Sequence, residues 1–214
     1  MATRKSKTVP RRRGTRASNK EATRERIVAA ALDLFQSKGF EATTTKEIAR
    51  KAGIAEGTVF NYFRTKDDIA LHYFEAEVDH AIDSVRRQPR LAKAPLEEKL
   101  FALVQSQFEY LEPYQNFIGS ALVEAMKPTS RLSFGHRAQA LRHRYAAFVE
   151  ELLEESLPQK RFVPLRLWAP DAFWLYYLGA LLYWLNDDSP GKQKTLSFLD
   201  RTLKLGVAIV KRSV

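Results

Sequence analysis

The chain has 214 residues, of which 45% are hydrophobic, enough to bury a substantial core and too many for extensive disorder. It has no cysteine, so a disulfide framework and a thiolate metal site are both excluded. The formal charge of +10 is concentrated: residues 1–26 hold ten Lys/Arg against only Glu21 and Glu25, so a polyanionic partner should meet the N-terminal end.

Residues 1–17 carry Pro10, Gly14 and a run of basic residues that includes Arg11, Arg12 and Arg13. They offer little apolar surface to bury and read as a disordered basic arm that neutralises phosphates. No apolar stretch follows them as a secretory signal would require. Helix one is expected to begin near Ser18, where Ser18-Asn19-Lys20-Glu21 has the form of a capping box, and to stop at Lys38-Gly39. A second capping box, Thr44 with Glu47, opens a short helix that Gly53 ends; another short helix is expected from Glu56 to Tyr62. Thr65-Lys66-Asp67-Asp68 then starts a fourth helix running to about Arg87, with both aspartates in the first turn, where the helix dipole favours them.

Beyond Pro89 and Pro95, apolar spacing predicts helices over 96–111, 114–126, 132–156, 170–186 and 192–211, separated by prolines. No strand alternation is visible. The expected fold is all-α with about nine helices: a helix-turn-helix domain over residues 18–64, and a helical bundle over 65–214 for ligand sensing and dimerisation.

Two short helices around a glycine-containing turn, behind a basic arm, form a helix-turn-helix, whose second helix enters the major groove of double-stranded DNA. Ile48, Ala49, Ala52, Ile54 and Val59 are spaced to form its miniature core. Thr58 can meet a phosphate or a thymine methyl, and Asn61 can pair with an adenine edge. Gly57 permits either close approach to DNA or a tight helix contact. Thr44 and Thr45 are expected to lie against the DNA backbone. Gly53, Gly57, Thr58, Tyr62, Phe63 and Lys66 make up Gly-x-x-x-Gly-Thr-x-x-x-Tyr-Phe-x-x-Lys, which closely resembles the DNA-binding segment of the TetR family of transcriptional regulators. The resemblance implies phosphate contacts from Tyr62 and Lys66. Glu56 and Phe60 depart from the residues common in relatives, a basic residue and a tyrosine, so no operator sequence carries over.

The segment Phe173–Leu185 is apolar on nearly every face, which means burial on all sides. The last helix carries two stripes, one of Leu196, Leu199, Leu203 and Val210, the other of Phe198, Thr202, Leu205 and Ile209. One stripe can serve the subunit's own core while the other faces a partner. Expected interface residues of a homodimer are Phe173, Tyr176, Ala180, Tyr183, Trp184, Phe198, Thr202, Leu205 and Ile209. A dimer would set two recognition helices on a roughly palindromic site, with half-sites ~34 Å apart or a multiple of it.

For a small-molecule effector, expected to be apolar or aromatic, the candidate contacts are Phe101, Gln105, Phe108, Phe117, Met126, Tyr145, Phe148, Trp174 and Tyr177, where aromatic surface and a few polar groups recur at helical spacing. The family resemblance implies a repressor released when the effector shifts helix four. A DNA-binding protein that docks a protein partner on the apolar C-terminal surface also fits this sequence.

Enzymatic chemistry finds no footing. His72, His80, His136 and His143 form no His-x-x-x-His pair, no glycine-rich phosphate loop occurs, and no cofactor is implied. The longest apolar run, Ala172–Leu185, is 14 residues, short of the roughly 18–20 that span a bilayer. The expected setting is the cytoplasm.

Overall fold

A computed structural model of the chain describes residues 16–156 and 168–213, and every described element is helical. The N-terminal elements are α1 (Arg16–Lys38), α2 (Thr45–Ala52), α3 (Glu56–Phe60) and α4 (Lys66–Arg86). After a short α5 (Pro89–Ala92) come α6 (Leu96–Leu111), a 3-10 turn (Glu112–Tyr114) and α7 (Gln115–Ala125). The chain continues through α8 (Arg131–Phe134), α9 (His136–Ser156) and α10 (Ala169–Leu185), then a 3-10 turn (Pro190–Lys192) and α11 (Gln193–Ser213). The short helix α5 is additional to those expected.

Local chemistry sets most of these boundaries. Thr44 caps α2 and Thr65 caps α4, each through a reciprocal capping box that satisfies otherwise orphan backbone N–H groups. Gly53 ends α2 at φ 67, a left-handed conformation that disfavours a side chain. The start of α1 differs from expectation. The helix is already formed at Arg16, so Ser18 lies inside the first turn instead of capping it.

The stretch expected as one helix over 132–156 is broken at Gly135, which is extended (φ −67, ψ 150). A Cβ there would sit 2.5 Å from the carbonyl oxygen of Arg131, so only glycine lets α9 turn back this closely on α8. At the C-terminal end, Asp187 accepts hydrogen bonds from the backbone N–H of Ser189 (2.9 Å) and of Thr195 (2.8 Å) and from both hydroxyls. Those bonds hold its carboxyl well below the usual range against the opposing effect of burial, and they fix the turn into α11.

One hydrophobic core runs from α1 to α11. Its junction is Phe117 of α7, fully buried, whose ring lies 5.0 Å from that of Phe35 in α1 and 5.7 Å from that of Phe74 in α4. Two hydrogen bonds reinforce the seam: Gln36 Oε1 accepts from the Phe117 N–H (3.1 Å), and Ser120 Oγ accepts from the Phe40 N–H (3.3 Å). The Phe117 N–H lies in the first turn of its helix, where no intrahelical acceptor exists.

Candidate nucleic-acid interface and effector cavity

The two short helices are held by the expected core. Ile48, Ala49, Ala52 and Val59 are buried, with Ile54 partly buried against them. Glu47 accepts from the Thr44 N–H (3.0 Å) and hydroxyl (2.8 Å) and from Lys38 Nζ (2.6 Å). The Lys38 and Thr44 bonds lower its carboxyl to about 2, so the capping box stays charged well into acid.

Thr45 and Glu56 are joined. The Thr45 hydroxyl donates to Glu56 Oε1 at 3.0 Å, tying the first turn of α2 to that of α3. Glu56 thereby has a structural role beyond its favourable place at a helix N-terminus. α3 is shorter than expected: it ends at Phe60, with Asn61 as its C-cap, and the chain passes through turns at Tyr62 and Phe63 whose N–H groups both bond the Val59 carbonyl (2.9 Å).

Gly57 is exposed, and a Cβ added there would meet nothing within 4 Å. Among the described residues no helix contact therefore requires a glycine at this position. Thr58 is partly exposed and Asn61 exposed on the same short element, and Tyr62 is half-buried against the core. Lys66 is engaged within the chain. Its ammonium donates to the carbonyl oxygens of Phe40 and Glu41 (2.9 Å each) and lies 4.7 Å over the Phe40 ring, so it clasps the turn after α1. Two of its three donors are used there. Exposed Lys46 and Arg64, which sequence reading did not single out, supply cations beside α2 and α3. Their signal was simply a basic residue within the motif. The expected contacts from Arg11, Arg12 and Arg13 lie outside the described residues.

A second site lies among α4, α7, α8, α9 and α10, where a cavity of about 420 Å³ is lined mostly by apolar side chains. Its volume is within the usual range for small-molecule sites. Buried Glu77, Ile118, Ala121 and Tyr177 form inner walls, whereas Met126, Phe134, Arg142 and Leu175 are exposed at the rim. Arg142, a cation at this opening, pairs with Asp171 at 2.7 Å.

Of the residues expected to contact an effector, Met126, Trp174 and Tyr177 do line this cavity. Phe108, Phe117, Tyr145 and Phe148 are instead core residues away from its lining: Phe108 stacks on Trp184 (5.1 Å) and Phe148 packs under the Arg86 guanidinium (5.1 Å). Phe101 and Gln105 sit on the more accessible side of α6, with Gln105 bonded to Glu109, and also do not line it. Sequence reading missed Glu77. Its signal was present, because Glu77 falls three residues after Phe74 and four before Ala81, an acid placed within the apolar stripe of α4.

At the other end of the molecule the two stripes of α11 separate. Leu199 and Leu203 are buried in the core, whereas Leu205 and Ile209 are 62% and 55% exposed. Phe198 stacks on Tyr183 (4.9 Å), and the Tyr176 and Thr202 hydroxyls are hydrogen-bonded (2.7 Å), so this face of α10 and α11 is continuous. Ala180 and Trp184 do not belong to it. At 1% and 3% exposure they face the subunit's own core, because a helix apolar all round must turn one side inward.

Among the described residues no cluster of His, Asp or Glu could hold a metal ion, and no helix is long and apolar enough to cross a membrane. Family models match both parts of the chain: bacterial regulatory proteins, tetR family, over residues 27–73, and tetracyclin repressor-like, C-terminal domain, over residues 99–214. The chain is 31% identical over 109 residues to the uncharacterized HTH-type transcriptional regulator YerO of Bacillus subtilis, covering 50% of this chain and 38% of that protein. It is 24% identical over 131 residues to the fatty acid metabolism regulator protein of the same organism, covering 61% of this chain and 66% of that one. Both matches thus span less than two thirds of the curated relative. Among solved structures, that of Thermus thermophilus FadR, described as a TetR family transcriptional repressor in complex with lauroyl-CoA, is similar with a TM-score of 0.56 at 26% identity, covering 84% of this chain and 92% of that one.

Proposed function

Because this chain belongs to the TetR family of bacterial transcriptional regulators, we propose that it is a dimeric, cytoplasmic repressor released from a palindromic operator by an effector with a long apolar chain, of the fatty-acyl thioester class. α3 enters the major groove, with Asn61 and Thr58 reading bases and Gly57 letting the helix backbone approach the duplex. Tyr62, Thr44, Lys46 and Arg64 meet phosphates, and the N-terminal arm adds sequence-independent attraction. Lys66 contributes mainly by holding the α1–α2 turn in place. The exposed face of Tyr176, Tyr183, Phe198, Thr202, Leu205 and Ile209 forms the subunit interface.

The observation that carries the effector reading is the makeup of the cavity wall. α4 and α7 line it, and both helices also pack on α1 of the helix-turn-helix. A ligand that wedges them apart acts directly on the DNA-binding unit. It shifts the equilibrium only by as much as it binds the released conformation better than the DNA-bound one. The fatty-acyl class is supported by the apolar lining, by exposed Arg142 at the opening to meet an anionic head group, and by the lauroyl-CoA complex of the similar Thermus protein.

Fluorescence anisotropy on a duplex selected for binding tests this, with lauroyl-CoA as the probe. Micromolar lauroyl-CoA is expected to weaken DNA binding at least tenfold and to raise the melting temperature in a concentration-dependent way. Unchanged DNA affinity with no thermal shift would contradict the acyl reading.

A further inference from the structure

Arg137 is a cation in the first turn of α9, where the helix dipole disfavours positive charge and where no acid offsets it. Its partners on α4 account for its place. The guanidinium forks onto Glu75, with Nε donating to Oε1 at 3.1 Å and Nη2 to Oε2 at 2.6 Å, while Nη1 donates to the Asp68 carbonyl oxygen at 3.1 Å. Farther along, Arg144 donates to the Glu75 carbonyl oxygen (3.1 Å) and pairs with Asp79 (3.2 Å), and Glu151 pairs with Arg86 of α4 (2.7 Å). Arg137, Arg144 and Glu151 recur every two turns and so share one face of α9, forming a polar ladder along α4.

This ladder borders the effector cavity. α4 lines the cavity with Leu71, Phe74 and Val78, and α9 lines it with Ala138, Leu141 and Arg142. A ligand that spreads these two walls by about 1 Å carries the ladder's bonds beyond hydrogen-bonding distance. Arg137 is the rung that leads to the DNA-binding unit. Asp68 accepts from the Thr65 N–H (3.1 Å) and hydroxyl (3.2 Å) at the start of α4, and in the same turn the Lys66 ammonium holds the Phe40 and Glu41 carbonyls. Polar contacts thus run from the cavity wall to the turn between α1 and α2. At this level the turn after α3 faces the junction of α8 and α9 across a gap of about 530 Å³ with charged walls, and Arg137 and Asp68 meet at its edge.

We propose that Arg137, through Glu75 and Asp68, is the positioning residue that holds α4 in its DNA-binding setting, and that the effector releases DNA by prising this contact open. The inference rests on the effector reading above and adds which contact distinguishes the two states. A forked guanidinium–carboxylate pair suits that task, because its geometry is directional and is lost over a short movement. With 37% and 27% of the two side chains exposed, solvent screens the pair, so it biases the two states by roughly fivefold instead of locking one of them.

Fluorescence anisotropy on the selected duplex and isothermal titration of lauroyl-CoA, applied to the wild type, R137Q, E75A and the double variant, test the proposal. Losing a contact made only in the DNA-binding state raises the quotient of the DNA and effector dissociation constants by the full bias, however the change divides between them. The quotient should rise about fivefold in R137Q, at least twofold in E75A, and in the double variant no further than in R137Q, as for two groups acting through one contact. R137Q and E75A change the net charge in opposite directions, so general attraction to DNA would move them apart, whereas the clamp moves them together. An unchanged quotient with a lowered melting temperature would reduce the pair to a structural staple and overturn the proposal. Shifts of opposite sign, or shifts that multiply in the double variant, would overturn it as well. If lauroyl-CoA binds none of the four proteins, the acyl reading falls and DNA binding alone decides the clamp: it stands if both single variants weaken binding at least twofold and falls if either does not.

Discussion

Gly57 in α3 and Asn61 at its C-cap are the positions where single substitutions test the proposed DNA contact. Because a Cβ at Gly57 meets nothing within 4 Å, Gly57→Leu should leave the melting temperature within a degree or two. The same side chain would stand between α3 and the groove, so DNA affinity is expected to fall at least tenfold; a folded, fully active G57L protein would remove α3 from the interface. Asn61→Ala should cost about 1–3 kcal/mol at one base pair and relax specificity there. Loss of equal size on random DNA would make Asn61 a backbone contact.

Glu77 makes a stability prediction independent of any ligand. The folded carboxyl keeps its proton up to about pH 8, whereas its ordinary value is 4.5, so the native state loses stability as pH rises from 4.5 through 8. Glu77→Gln removes that dependence. The unfolding free energy of E77Q should exceed that of wild type by a margin that widens between pH 5 and pH 8, by roughly a few kcal/mol, and then levels off. Parallel pH profiles for the two proteins would mean that Glu77 is solvated.

At the scale of elements, the seam between α7 and the helix-turn-helix depends on Phe117, which touches rings from α1 and α4 at once. Phe117→Ala should destabilise the chain by ~3–5 kcal/mol in denaturant unfolding, the range for a fully buried phenylalanine. A loss under about 1 kcal/mol would show that the two parts are not joined there. What could be read from sequence at this scale was what is decided locally. The capping box of Thr44 with Glu47 and the start of α4 at Thr65 fall where expected, since a cap and its partner are three residues apart. The break at Gly135 was hidden because its cause is a close approach to the Arg131 carbonyl, which a linear pattern does not display. The lining of the cavity was legible only in part. It is assembled from several helices, and an aromatic residue at helical spacing looks the same whether it faces a void, like Trp174, or the filled core, like Phe108.

For the whole molecule, the question is how two short recognition helices acquire a fixed separation. An apolar face on α10 and α11, with Leu205 and Ile209 largely exposed, is more than a monomer would normally leave to water. In the proposed dimer, burying it against a second copy would set that separation by symmetry. The sequence showed two stripes on the last helix but not which turns toward solvent. That was decided by α6, which takes one side of α11 into the core. Replacing Leu205 and Ile209 together by Asp should yield a folded monomer by light scattering, with operator affinity reduced at least a hundredfold through loss of the second half-site. A dimer that survives both substitutions would place the interface elsewhere.

The central claim is that this chain reads a two-fold symmetric DNA sequence. Selection of bound duplexes from a random pool, followed by sequencing, tests it most directly. The expected result is one enriched motif, roughly palindromic, with half-sites about 34 Å apart or a multiple of that spacing. An enriched pool with no motif, or a single unpaired half-site, would contradict it.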